Sequence, residues 1–354
     1  MKVARALGGV AALAAMGWGV HACAPSGFAN EYNIDSVRIL ASSATEPYAK
    51  PGDAVTVQVL AYDGRPMKPA PMQVSWFPLQ CDNPTDDAYY ACFEQFGALS
   101  SADAGGAGRP TADAGASAGA GALSLVAGQD LTPFLTPGPN MTVIIPPSII
   151  ASHPPVAGSS PYGLVILFNF ACAGHLEFTP PSSSNANPQQ VPIGCFDSNG
   201  NALGPDDFVF GFTRIYVSDT VTDTNPVITE VDSPDAPDGG LKVSQGTTIA
   251  PLNVASCSSK CPKIPIGPVI QTPAAGREVW VDFFSTAGTF NSDARLLYSA
   301  TTGSEGPPST TDTSFYAPPD AGAQLLWMVV HDDHNGASWV TVPVEVQQAD
   351  AGSN

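Results

Sequence analysis

Glycine and proline interrupt this chain more persistently than any other residues, with 34 glycines and 35 prolines among 354 residues. Both disfavour helix interiors, glycine because of its backbone entropy and proline because it lacks a donor N–H. The apolar residues between them form short β-branched runs, and no window of 12 residues shows the i, i+3, i+4, i+7 spacing of an amphipathic helix. Short runs bounded by turn residues predict an all-β sandwich or barrel.

Residues 54–62 carry the clearest strand pattern. Val55, Val57, Val59 and Ala61 alternate with the side chains at 56, 58 and 60, which predicts a half-buried strand. A strand near residues 37–40, the turn at 50–53, this long strand and a strand containing Trp76 together resemble the A, B and C strands of an immunoglobulin-like (Ig-like) sandwich.

Further strands are predicted along the chain at 73–77, 141–145, 162–171, 208–218, 227–231, 241–243, 248–254, 278–285, 296–299, 314–317, 324–331 and 338–346. The fully apolar run at 162–171 predicts a central strand. Asn335 and Gly336 predict a hairpin between the last two strands. In the final strand the valines at even positions face the core, Trp339 faces out, and Pro343 predicts an edge strand.

The N-terminus has the anatomy of an export signal. Lys2 and Arg5 precede an apolar run at 6–20 that is too short to span a bilayer. The segment ending at Cys23 resembles the lipobox of bacterial lipoproteins, which implies acylation of Cys23 and a lipid (palmitate) anchor. The alternative is a secreted or periplasmic protein cut near Ala22.

Seven cysteines occur, so that six remain if Cys23 carries lipid. An exported chain meets an oxidising compartment, where disulfides are expected. Six cysteines allow 15 connectivities, of which the nearest-neighbour set is favoured because each pair brackets one loop rich in turn residues. The predicted bridges join Cys81 to Cys92, Cys172 to Cys195, and Cys257 to Cys261. A zinc site is disfavoured because no C-x₂-C pair occurs.

The net charge of the chain limits the classes of partner that it can bind. Removing residues 1–22 leaves 11 basic and 32 acidic residues, a net charge of 11 − 32 = −21. Such a chain would be repelled by nucleic acid phosphates, so no nucleic acid partner is expected. The predicted partners are the membrane, through the lipid, and an envelope protein or a glycan.

Three groups of residues are candidate binding sites. Residues 331–334 (His-Asp-Asp-His) could hold a cation, but a hairpin tip is the favoured interpretation. Junction aspartates at 219, 223, 232, 235 and 238 could bind calcium, but a solvated linker is the favoured interpretation. The aromatic residues Tyr89, Tyr90, Phe93 and Phe96 could stack on sugars, although packing around a disulfide is favoured. No catalytic residue, metal site or cofactor is predicted.

The second half of the chain resembles Ig-like domains of uncharacterised bacterial cell-envelope lipoproteins. Residues 226–228, 281–288, 316–318 and 326–333 carry this resemblance. It implies a fold and no reaction.

The expected organisation is a signal peptide at 1–22, a lipid-anchored tether at 23–33, an Ig-like sandwich at 34–218 with a disordered insertion at 98–124, a linker at 219–225, a second Ig-like sandwich at 226–346 and a disordered tail at 347–354. The expected function is a non-catalytic protein-binding or structural module of the cell envelope, anchored at the outer membrane. The alternatives are a carbohydrate- or calcium-dependent adhesion module and a hydrolase with an unrecognised site.

Overall fold

The computed structural model describes residues 32–93, 125–156, 158, 160–180, 191–233, 241–243, 246–259, 261–274, 276–305 and 311–348. The predicted signal peptide, Cys23 and the predicted insertion at 98–124 lie outside the described residues. The tether up to residue 31 and residues 349–354 of the predicted tail lie outside them as well.

The first half of the chain forms strands joined by short helical turns. The strands are β1 (Val37–Ala44), β2 (Tyr48–Ala49), β3 (Ala54–Asp63), β4 (Gln73–Trp76), β5 (Cys81–Asp82), β6 (Thr136–Pro137), β7 (Asn140–Ile144), β8 (Gly163–Cys172), β9 (His175–Phe178), β10 (Ile193–Phe196) and β11 (Phe208–Val217). The helical elements are α1 (Ile149–Ser152) and 3₁₀ turns at Thr85–Asp87 and Thr132–Phe134.

Two sheets of these strands form a sandwich, here called the first sandwich. One sheet has the order β1-β3-β7 and the other the order β2-β11-β8-β4-β6. Val55, Val57 and Val59 of β3 point between the sheets and meet the fully buried Trp76 of β4. The alternation predicted for β3 and the central position predicted for β8 are confirmed.

Strand β8 is buried along its whole length because both of its faces are covered. One face, which includes Val165 and Leu167, packs in the core between the sheets. The other face, which includes Phe168 and Phe170, lies under the loops that the first two disulfides hold and under the β9–β10 hairpin. A strand with two apolar faces requires this second layer, since exposed phenylalanines would otherwise meet water.

The second half of the chain forms another sandwich, the second sandwich. Its strands are β12 (Ile228–Asp232), β13 (Leu241–Lys242), β14 (Leu252–Ala255), β15 (Ile264–Ile270), β16 (Val279–Ser285), β17 (Thr289–Phe290), β18 (Ala294–Ser299), β19 (Ser304–Glu305), β20 (Thr313–Tyr316), β21 (Gly322–Asp332) and β22 (Ala337–Gln347). The sheets have the orders β13-β12-β15-β20-β17 and β14-β22-β21-β16-β18-β19. Leu326, Met328 and the even-numbered valines of β22 fill the space between them.

Both sandwiches share one arrangement. In each, a short strand from the early part of the sandwich pairs in parallel with the last strand: β2 with β11, and β14 with β22. The remaining pairs between named strands are antiparallel, as expected for Ig-like sandwiches with Greek-key connections. The predicted fold class, all-β with two tandem Ig-like β-sandwiches, is confirmed.

The two sandwiches pack face to face. The outer face of β1 contributes Leu40 and Ala41, and the outer faces of β21 and β22 contribute Trp327, Val329 and Trp339, all 8% exposed or less. Burial of apolar surface stabilises such an interface by roughly 25 cal/mol for each Å² that is removed from water. The chain therefore folds as two sandwiches that share a buried apolar interface.

Polar groups fix the alignment of this interface. Asn225 donates from Nδ2 to the Ala44 carbonyl (2.7 Å) and accepts from the Ala337 N–H at Oδ1 (3.0 Å). Ser43 donates to the Ala337 carbonyl at 2.6 Å. The N-terminal segment joins the second sandwich too, because Ile34 N–H donates to the Ser285 carbonyl at 2.9 Å.

Some details of the second sandwich differ from the sequence-based expectations. Trp339 points away from its own core as predicted but is buried by the first sandwich rather than exposed. Strand β22 is not an edge strand, because β14 pairs with it beyond Pro343. Strand β15 was not predicted, since Pro265 and Pro268 interrupt its apolar pattern.

Candidate functional site

A groove with a volume of about 280 Å³ lies between the two sandwiches. On one side is β11 of the first sandwich, and on the other is the outer face of β16 and β21. It is lined by Ser42, Phe212, Thr213, Arg214, Trp280, His331, Asp332 and residues 335–337. This volume is near the lower end of the range for small-molecule pockets, roughly 300 Å³.

Trp280 and His331 provide the aromatic rings on the second-sandwich side of the groove. They are directly paired across β16 and β21, and their rings stack with centroids 5.6 Å apart and an interplanar angle of 23°. His331 Nε2 lies 3.4 Å from Asp282 Oδ2 on the same face of the sheet. On the other side Trp280 is paired with Leu296, which is 46% exposed.

Arg214 provides the charge on the first-sandwich side. Its guanidinium lies 4.8 Å from the ring centroid of Phe212, within the range of a cation–π contact. Phe212 is itself stacked on Tyr89, with centroids 4.6 Å apart. The Arg214 side chain is therefore supported by an aromatic stack that reaches into the core beneath β11.

The hairpin between β21 and β22 closes one end of the groove. Asp332 Oδ1 accepts the N–H groups of His334 (3.0 Å) and Gly336 (2.7 Å), while Asn335 adopts a φ of 66°. Arg277 donates to Asp332 Oδ2 at 2.8 Å and also forms an ion pair with Asp223. Asp332 is thus a structural acceptor that holds the turn, as the hairpin interpretation of residues 331–334 predicts.

The sequence offers two candidate metal sites, residues 331–334 and the junction aspartates. Within the described ranges, no group of three or more His, Cys, Asp or Glu side chains could hold a metal ion. Of the junction aspartates, Asp223 is engaged by Arg277 and its side chain is 3% exposed, so it is not part of a solvated linker. Asp235 and Asp238 lie outside the described residues, and calcium binding at the junction stays an untested alternative.

The six downstream cysteines form the three predicted nearest-neighbour disulfides. The Cα atoms are 5.8 Å apart in Cys81–Cys92, 5.9 Å in Cys172–Cys195 and 5.3 Å in Cys257–Cys261. The first two bridges are buried in the layer that covers β8, and the third lies half-exposed beside β14.

The aromatic residues around Cys92 pack rather than protrude. Tyr89, Tyr90 and Phe93 contact the layer over β8, and Phe93 lies 5.4 Å from Phe168 between ring centroids. Phe96 lies outside the described residues. The packing interpretation is confirmed for the three described residues.

His153 is not the surface loop residue that its neighbouring prolines suggest. Its side chain is 6% exposed, and Nε2 lies 2.9 Å from Asp87 Oδ1. Tyr162 donates to the other oxygen of Asp87, and burial together with this hydrogen bond raises the pKa of Tyr162 to about 12. These three side chains fasten the loop at 153–162 to the 3₁₀ turn at Thr85–Asp87.

Sequence reasoning singled out the groove residues of the hairpin, at 331–336, as a turn, and did not identify those on β11 and β16. Period-2 alternation places Trp280 and Asp282 on the side of β16 opposite Val281 and Phe283, which is a signal for an exposed tryptophan. Nothing in the pattern brings β11 next to that face. In the described part of the chain, no helix is both long and apolar enough to cross a bilayer.

No protein-family model and no curated protein matches this chain. Among solved structures, it is similar to the fibronectin(III)-like modules of CbhA from Clostridium thermocellum, at 12% identity over 90% of this chain and 97% of that chain, with a TM-score of 0.23. It is also similar to Salmonella alpha-2-macroglobulin reacted with methylamine, at 10% identity over 89% of this chain and 17% of that one, with a TM-score of 0.21.

A third similar structure is dimeric latent PorU from Porphyromonas gingivalis, at 9% identity over 90% of this chain and 24% of that one, with a TM-score of 0.19. The chain spans less than a quarter of the length of the macroglobulin and of PorU. At these scores the likeness supports no argument about function. The assignment of two Ig-like sandwiches rests on the strand order and pairing of this chain.

Proposed function

We propose that this chain is a non-catalytic binding and structural module of the cell envelope, held at the outer membrane by a lipid on Cys23. The observation that carries the proposal is the face-to-face packing of the two sandwiches, which builds one groove from residues of both. Because buried apolar contacts and Asn225 hold the walls together, the groove is preorganised, which lowers the entropic cost of binding a partner.

The groups that line the groove are suited to binding. Trp280 offers an aromatic ring, and Arg214 and Asn335 offer hydrogen bonds. The only imidazole that lines the groove, among the residues described, is that of His331, which lies beside Asp282. We infer that the partner is an envelope protein or a glycan, and that the acidic surface excludes nucleic acid.

Export and anchoring are tested together with a fatty-acid probe. Metabolic labelling is expected in the natural chain and in Ser26→Ala, the matched control, and is expected to be lost in Cys23→Ser. The natural chain should fractionate with membranes and Cys23→Ser should not. Equal labelling of the Cys23→Ser chain would contradict the lipid anchor and favour the secreted or periplasmic alternative.

Binding is tested by isolating the anchored protein from envelope fractions. A partner is expected to co-purify with the natural chain and to be lost from Trp280→Ala. Recovery of the same partner with Trp280→Ala would contradict a role for the groove.

A saccharide-dependent adhesion module is the second candidate, which the aromatic surface at Trp280 and His331 favours. Its calcium-dependent form is tested by the melting temperature in calcium and in a chelator. A rise of several degrees in calcium would support it, and equal melting temperatures would contradict it.

A further inference from the structure

We propose that the groove between the sandwiches binds a neutral saccharide, with Trp280 as the stacking surface and Arg214 and Asn335 as hydrogen-bonding groups. This inference rests on the binding role proposed above and names the class of ligand for that site. It follows from the exposure of one tryptophan, the chemistry of the neighbouring polar groups and the charge of the groove.

Trp280 differs from the other described tryptophans. Trp76, Trp327 and Trp339 are between 0% and 3% exposed and fill cores, whereas Trp280 is only partly buried. Trp280, with the His331 ring stacked against it, contributes its planar indole to the groove wall. The C–H face of a pyranose ring is also flat and apolar, and aromatic rings gain energy by covering such surfaces.

The polar groups around this surface match hydroxyl groups. A sugar hydroxyl both donates and accepts a hydrogen bond. Arg214 donates only, through a planar fork, while the exposed Asn335 amide at the hairpin end both donates and accepts. Neighbouring hydroxyls of one ring can therefore find donors and an acceptor in the groove.

Charge decides between a neutral ligand and an ionic one. Of the charged side chains that line the groove, Asp332 is paired with Arg277, and the Arg214 guanidinium lies over the Phe212 ring. A polyanion would meet the repulsion of a chain whose formal charge is −19. A polycation would find no uncompensated carboxylate cluster among the groove's described residues. A neutral, hydroxyl-rich ring fits this balance.

The test uses the mature chain and tryptophan fluorescence. Acrylamide should quench one accessible population of tryptophans, which Trp280→Phe should abolish because the other three described tryptophans are buried. Soluble β-glucan, xyloglucan, mannan and dextran serve as neutral probes, with alginate and polygalacturonate as acidic ones. At least one neutral probe is expected to protect Trp280 from acrylamide and to retard the protein in affinity electrophoresis.

Trp280→Ala is expected to weaken this retardation at least tenfold, while Phe134→Ala, an exposed aromatic outside the groove, should leave it unchanged. Thermal unfolding confirms that each variant is folded, and His331→Ala replaces Trp280→Ala if the latter is not. Absence of protection by every neutral polysaccharide would overturn the proposal, as would undiminished retardation of Trp280→Ala. If an envelope protein still co-purifies through Trp280 while no saccharide binds, the saccharide inference fails and the proposed binding function stands.

Discussion

Tyr62 of the first sandwich packs against Trp327 of the second, with ring centroids 4.7 Å apart. Because this contact lies in the buried interface, the two sandwiches are expected to unfold together. Trp327→Ala removes the larger ring and should cost about 3–5 kcal/mol. Differential scanning calorimetry should show one transition in the natural chain and two in Trp327→Ala.

The matched control for this change is Phe134→Ala, which removes a partly exposed ring. Phe134 does not belong to the apolar cluster at the interface. It should retain a single transition with little change in melting temperature. Two separate transitions in the natural chain would contradict coupling of the sandwiches.

Asn225 should be needed for alignment of the interface. Asn225→Ala removes the hydrogen bonds to the Ala44 carbonyl and the Ala337 N–H, both in buried surroundings. Each lost partner of a buried polar group costs about 1–3 kcal/mol. Urea unfolding should show this loss for Asn225→Ala and none for Asn199→Ala, an exposed asparagine. An unchanged midpoint for Asn225→Ala would show that the alignment does not depend on it.

The fold class was predictable because it depends on local patterns. The alternation in β3, the apolar run of β8 and the Asn335-Gly336 turn each specify a strand or a hairpin without reference to distant residues. The disulfides were predictable for a related reason, since each joins cysteines that bracket a single loop.

The candidate site was not predictable because it depends on how two complete sandwiches meet. Trp280 and Trp339 both read as outward-facing residues of their strands, yet Trp339 is buried and Trp280 is not. The difference comes from which part of the sheet the first sandwich covers. Strand periodicity carries no information about that contact.

Loss of the Cys172–Cys195 bridge should destabilise the first sandwich. The bridge closes a loop with a sequence separation of 23, for which chain entropy predicts about 3 kcal/mol. The double variant Cys172→Ser/Cys195→Ser should unfold at correspondingly lower urea concentration. The half-exposed Cys257–Cys261 bridge closes a separation of 4 and should contribute less. A larger loss from the shorter bridge would contradict this account.

Asp63 should stabilise the fold in a pH-dependent manner. Hydrogen bonds from Arg65 hold the pKa of the Asp63 carboxyl below its ordinary value of 3.8. A carboxyl with a lowered folded pKa stabilises above its unfolded pKa and loses that contribution as the pH falls through the folded one. Asp63→Asn should therefore lower the free energy of unfolding at pH 7, with a difference that shrinks below pH 3.8.

Asp82 is a control for Asp63 because its pKa is shifted in the opposite direction. Burial raises the pKa of Asp82 above 3.8, although a hydrogen bond from Gln80 partly offsets it. The ionised form is disfavoured in the fold, so Asp82→Asn should stabilise at pH 7 and have little effect in acid. If the free energy of unfolding of the two variants, relative to the natural chain, changed with pH in the same way, these opposite directions would be contradicted.

The face-to-face packing of the sandwiches is tested most directly by the distance between them in solution. Nitroxide labels are placed at Met67→Cys in the first sandwich and at Thr301→Cys in the second, both exposed positions. Pulsed electron–electron double resonance should give a single narrow distance distribution, which broadens in Trp327→Ala. A broad distribution in the labelled natural chain would show that the sandwiches move independently, and the groove would then not exist as a fixed site.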